Sequence, residues 1–83
     1  GLADFVVPHD ELLERAGTLA RSMGENPPPQ LRMTKELLTQ NAADTDLTAI
    51  QQRESNLLRE CWKTPEHKEA VAAFQEKRAP RFR

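Results

Sequence analysis

The side chains of this 83-residue chain best suited to chemistry lie near its end, in "AVAAFQEKRAPRFR". On a helix, Phe74 and Lys77 fall one turn apart on the same face. A flat ring beside an ammonium group suits a ligand that offers a stacking ring and a phosphate. The plainer reading packs Phe74 into a core with Val71, while Lys77, Arg78, Arg81 and Arg83 offset the negative end of the helix dipole. On residue types alone the plainer reading is favoured.

The other reactive residue types are scattered. His9 and His67 share no ligand spacing with each other or with Cys61, which argues against a metal site. Cys61 sits on an apolar helix face, where an inert thiol is the common case, and no neighbouring base or cation cluster marks it as a nucleophile. The three glycines, Gly1, Gly17 and Gly24, form no phosphate-cradling loop. The carboxylates are spread over solvated helix faces. No complete active site is visible, and no catalytic residue is assigned.

Helices must position these side chains. "GLADFVVP" is the only extended-looking run, and Pro8 ends it. From His9 to Gly24, Leu12, Leu13, Ala16, Leu19, Ala20 and Met23 recur at helical spacing. In "NPPPQ", Asn26 is expected to cap a second helix over Pro28–Gln40, with Leu31, Thr34, Leu37 and Leu38 inward. After the "NAADTD" turn, Asp44 or Thr45 should open a third helix to about Trp62. Its stripe is Leu47, Ile50, Glu54, Leu57, Leu58 and Cys61, with Glu54 at the edge near Arg53 or another basic group. "TPEHKE" is the clearest start signal: Thr64 as cap, Pro65 at the first helical position, Glu66 complementing the dipole. That fourth helix should reach about Arg78 and stop before Pro80. Four helices joined by short turns make an all-α domain, with neighbours often antiparallel. A chain of this size should bury about 60–65% of its unfolded surface.

Composition narrows the functional classes. With 37% apolar and 30% charged residues and a net charge of −1, the chain resembles neither a nucleic-acid binder nor a disordered tail. The longest apolar run, Phe5-Val6-Val7, is too short for a membrane span or a signal-peptide core. A single cysteine fits a reducing compartment, the cytoplasm or an organelle matrix. No targeting segment is recognisable. The first residue is glycine and the opening reads as the end of a strand, so a piece of a longer protein is expected.

Three blocks together, "GLADFVVPHDELLERAGTLA", "NPPPQLRMTKELL" and "TPEHKEAVAAFQEKRAPRF", resemble the last third of the enoyl-CoA hydratase/isomerase (crotonase) family. In that family a glycine-leucine-valine-aspartate strand ends in valine-valine and leads into a helix. An alanine-asparagine-proline segment then opens a helix containing threonine-lysine, and an alanine-phenylalanine-x-glutamate-lysine-arginine motif closes the chain. The resemblance implies that residues 1–8 end a catalytic domain and that residues 9–83 form the C-terminal helical, oligomerisation domain. It implies no catalytic residue here, since the family's oxyanion hole and glutamates lie upstream, so the isolated chain is expected to be inactive and Glu11, Glu54 and Glu69 non-catalytic. By the same resemblance Phe74 and Lys77 match residues that contact the adenosine and 3′-phosphate of coenzyme A, and Leu58 matches an apolar wall of that pocket. Coenzyme A is then part of an acyl-CoA substrate and not a separate cofactor. Where many members carry glycine shortly before the closing motif, this chain has Ala70-Val71-Ala72, a change expected to affect packing. Self-association is also implied: a trimer or hexamer in a parent enzyme, or a helix-exchanged oligomer here. The parent would most simply hydrate a trans-2-enoyl-CoA, with isomerases among the alternatives. The competing class is a free-standing helical interaction module with no ligand.

Overall fold

The computed structural model describes residues 1–83 and contains four α-helices and no strand. Residues 1–8 are irregular, and a 3₁₀ turn at His9–Glu11 leads into α1 (Leu12–Gly24). Then follow α2 (Pro28–Asn41), α3 (Leu47–Trp62) and α4 (Pro65–Gln75).

The helices form a flat plate of 44 × 41 × 16 Å, only slightly thicker than one helix with its side chains, which is about 10–12 Å across. The radius of gyration is 16.8 Å, against about 12 Å for a compact chain of this length. The accessible surface is 7113 Å², where a compact monomer of 9.4 kDa exposes about 5,000 Å². The burial expected from size alone is therefore not reached. Ala73, at 1% exposure, is the single buried residue. A one-layer arrangement gives each helix at most a narrow flank to bury, so the apolar stripes read from the sequence stay largely in solvent.

Helices α2 and α3 pack as an antiparallel hairpin, and hydrogen bonds mark both ends. Gln30 Nε2 donates to Cys61 Sγ at 3.2 Å and to Thr64 Oγ1 at 3.0 Å. At the other end Arg53 Nη1 donates to Asn41 Oδ1 at 2.5 Å and Nη2 reaches Asp44 Oδ2 at 3.1 Å. Glu54 takes its hydrogen bond from Asn41 Nδ2 at 3.4 Å, so its partner is an amide and not the basic group expected. Between these ends Leu37, Leu57 and Cys61 are half-buried, while Leu38 and Leu47 are exposed.

Two caps differ from the sequence-based expectation. Asn26 does not cap α2; its Nδ2 donates backwards to Met23 O at 3.1 Å, closing α1. The cap position is Pro27, with Pro28 and Pro29 in the first turn. Those prolines have no N–H for a capping oxygen to accept. Helix α3 is capped by Asp46, whose Oδ1 accepts from Thr48 N at 3.0 Å and Ala49 N at 3.3 Å. Asp44 instead accepts from the Asp46 backbone at 2.9 Å, which with Arg53 holds its carboxyl below the usual carboxylate range.

Thr64 caps α4 as expected, and it does more. Its hydroxyl accepts from His67 N at 3.2 Å and from Gln30, and donates to Cys61 O at 2.7 Å. A hydroxyl has one donor and two acceptor sites, so all its capacity is used. Thr64→Val keeps the shape and removes the cap and the link to α2, and should cost about 2 kcal/mol in urea unfolding. Because the Asp44 carboxyl is depressed, its contribution to stability is present above the unfolded-state value and is lost as pH falls through the lower folded-state value. An Asp44→Asn chain should therefore lose stability at neutral pH and show a flatter acid limb.

Candidate functional site

The closing segment departs most from a simple helix. Helix α4 ends at Gln75, three residues before the expected stop. Glu76 N–H donates to Ala72 O at 2.9 Å, Lys77 N–H to Phe74 O at 3.3 Å, and Arg78 N–H to Ala73 O at 3.0 Å. The last two bonds define a Schellman motif, which needs a left-handed residue at its turn. That residue is Lys77, with φ 55°, the only non-glycine residue of positive φ. Glycine adopts this conformation without a side-chain clash, whereas another L-residue gives up about 1 kcal/mol or more there. Lys77 therefore stands just past the helix, not one regular turn beyond Phe74.

Phe74 is 85% exposed. On α4, Glu66, Glu69, Ala72 and Ala73 are half-buried or buried, and Ala73 carries the contact face. Phe74 lies one residue further on, rotated by about 100°. Val71 is also exposed. The core role for Phe74 and Val71 is thus not met within the chain, and alanine fills the place expected for them.

The cations of the tail are sorted. Arg78 pairs with Glu69 through Nη1–Oε1, supported by Nη2–Oε2 at 3.4 Å, and its Nε donates to Glu76 Oε2 at 2.6 Å. Glu69 also accepts from Arg81 N at 3.4 Å. The Arg78 bond holds the Glu69 carboxyl below its ordinary range, and Glu69 first, then Glu76, holds the guanidinium more firmly protonated. Arg83 Nη1 reaches across to the carbonyl of Gly24 and to that of Asn26, the latter at 3.3 Å, and so ties the tail to the α1–α2 junction. Lys77 has no carboxylate within ion-pair distance.

Leu58 is half exposed and lies elsewhere, in an apolar groove of about 220 Å³ between α2 and α3 with Met33, Leu37, Leu57 and Cys61. Phe74 and Lys77 do not line this groove, so it does not bring Leu58 together with them. Cys61 is half-buried and accepts from Gln30, and His67 is half-buried in the first turn of α4. No group of three or more His, Cys, Asp or Glu side chains is placed to hold a metal ion, and no helix is long and apolar enough to cross a membrane. Sequence reasoning missed the Glu69–Arg78–Glu76 cluster. Its nine-residue spacing from Glu69 to Arg78 belongs to no helix face and closes only because the chain turns at Lys77.

The enoyl-CoA hydratase/isomerase family profile matches residues 1–83. A probable enoyl-CoA hydratase of Mycobacterium tuberculosis is 35% identical over 82 residues, covering 99% of this chain and 32% of that protein. A putative enoyl-CoA hydratase of Thermus thermophilus is 37% identical over 84 residues, with the same shares. A short-chain-enoyl-CoA hydratase of Clostridioides difficile is 35% identical over 75 residues, 90% of this chain and 48% of that protein. The chain belongs to the enoyl-CoA hydratase/isomerase family, and it spans about a third of the length of the first two relatives.

The strain at Lys77 is directly testable. Lys77→Gly should stabilise the chain by about 1 kcal/mol, read as a higher midpoint in urea or heat.

Proposed function

We propose that this chain is the helical part of an acyl-CoA-processing enzyme whose reaction is the hydration of a trans-2-enoyl-CoA in fatty-acid β-oxidation. Family membership and three relatives named as enoyl-CoA hydratases support the reaction class. Isomerisation of an enoyl-CoA is the alternative within the family. The chain's own share is recognition of coenzyme A and subunit association. Phe74 stacks on the adenine, Lys77 takes the 3′-phosphate and Leu58 supplies an apolar wall, with coenzyme A entering as part of the substrate. The observation that carries this reading is an almost fully exposed phenylalanine three residues before a strained, unpaired lysine. A residue held in an unfavourable conformation points to a role outside folding.

The chemistry itself is assigned to the rest of the enzyme. Two backbone amides would polarise the thioester carbonyl and stabilise the enolate-like intermediate, and glutamates would move the protons. Glu11, Glu54 and Glu69 take no catalytic part, and the 83-residue chain alone is inactive. Because Leu58 lies apart from Phe74 and Lys77, a complete pocket needs surfaces from another domain or copy. The surface in excess of a compact monomer, about 2,000 Å², is of the size that obligate interfaces bury. It includes Leu12, Leu13, Leu19 and Met23 of α1. A trimer, or a hexamer of paired trimers, would cover it.

Titration of the chain with coenzyme A should shift the amides of Phe74 and Lys77 weakly, and 3′-dephospho-coenzyme A should shift Lys77 less. Absent shifts with both would favour an interaction module without a ligand, and equal shifts with both would count against the contact between Lys77 and the 3′-phosphate. Sedimentation should show concentration-dependent association, and a clean monomer at high concentration would count against the interface.

A further inference from the structure

The geometry points to Glu69 as a positioning residue that, through Arg78, holds Lys77 in its left-handed conformation and leaves its ammonium free for a phosphate. This inference rests on the reading of Phe74 and Lys77 as an adenosine-phosphate subsite and adds the device that sets the lysine.

A lysine at the turn of a Schellman motif must be held there, because a relaxed backbone would return it to negative φ. The two backbone bonds around it do part of this. Side chains do the rest by tying both neighbours of Lys77. Arg78, on one side, spans Glu69 within α4 and Glu76 on the other side of Lys77. Glu69 also takes the amide of Arg81, so the chain beyond the turn folds back onto the same carboxylate. Lys77 lies between these anchored residues.

The cluster also sorts charge. Two carboxylates stand near the turn, and either could capture an ammonium group and spoil it for a ligand. A guanidinium offers a planar fork of five donors and satisfies Glu69 with two bonds and Glu76 with a third. The weaker competitor, a point-charge ammonium, is left without a carboxylate. Removing the Glu69 charge leaves Arg78 held by Glu76 alone, so the turn is no longer tied back to α4 and relaxes.

The test uses the full-length protein, with wild type, Glu69→Gln, Lys77→Gly and the double variant. Affinities for coenzyme A and 3′-dephospho-coenzyme A give a ratio that reports the 3′-phosphate contact alone. In Glu69→Gln the ratio should fall by about tenfold, with dephospho-coenzyme A affinity within about twofold of wild type. A merely structural role would weaken both ligands together. Amide hydrogen exchange over residues 76–81 of the unliganded protein should quicken in Glu69→Gln. That quickening should shrink when residue 77 is glycine, which needs no help to turn left-handed. A wild-type ratio near one would overturn the phosphate reading and the aiming of Lys77 with it. A normal wild-type ratio, unchanged in Glu69→Gln along with unchanged exchange, would overturn only the positioning role.

Discussion

Three helices meet at the hydroxyl of Thr64, and the rest of the plate is arranged around that meeting. One oxygen closes the first turn of α4, accepts the Gln30 amide from the start of α2 and binds the Cys61 carbonyl at the end of α3. Because Pro65 follows at once, α4 leaves the corner in a fixed direction, with φ preset at its first residue. The face that α4 turns to α3 is then decided, and it carries Ala73, not Phe74. The exposure of Phe74 and the position of the closing turn follow from this corner.

A plate one layer thick has little apolar burial to draw on. Directed polar contacts at junctions therefore carry an unusual share of its definition: Arg53 at the α2–α3 turn, Thr64 at the α3–α4 corner and Arg83 on the α1–α2 junction. Helix α1 has the clearest amphipathic pattern in the chain, yet Leu13 is 86% exposed. Its stripe finds no covering surface within the chain. Phe74, 85% exposed, is uncovered in the same way, so the recognition and association proposed for this chain would draw on one shared stock of apolar side chains.

Much of the local structure was legible in residue types, because caps and prolines act within a few positions. Thr64-Pro65 marks the start of α4, and Pro28 marks that of α2. The missed details are instructive. Asn26 looked like a cap but faced prolines with no hydrogen to give, and Asp46 won over Asp44 because Asp44 was drawn to Arg53 and the Asp46 amide. Among the candidate site residues, residue types and spacing raised Phe74 and Lys77, while resemblance alone favoured them as a ligand contact and added Leu58. The Glu69–Arg78 pair was reached by neither, since a nine-residue spacing carries no periodic signal.

The sequence by itself determined the all-α class, the four helices and the family, since each rests on short-range chemistry or on an ordered set of motifs. Tertiary structure alone decided that the helices spread into a layer, that alanine and not phenylalanine fills the α4 contact, and that Lys77 turns left-handed. The physical reason is that these outcomes depend on which flank each helix can cover and on where a guanidinium finds its carboxylates. The first is settled between helices, and the second by a turn that brings together residues outside any helical period.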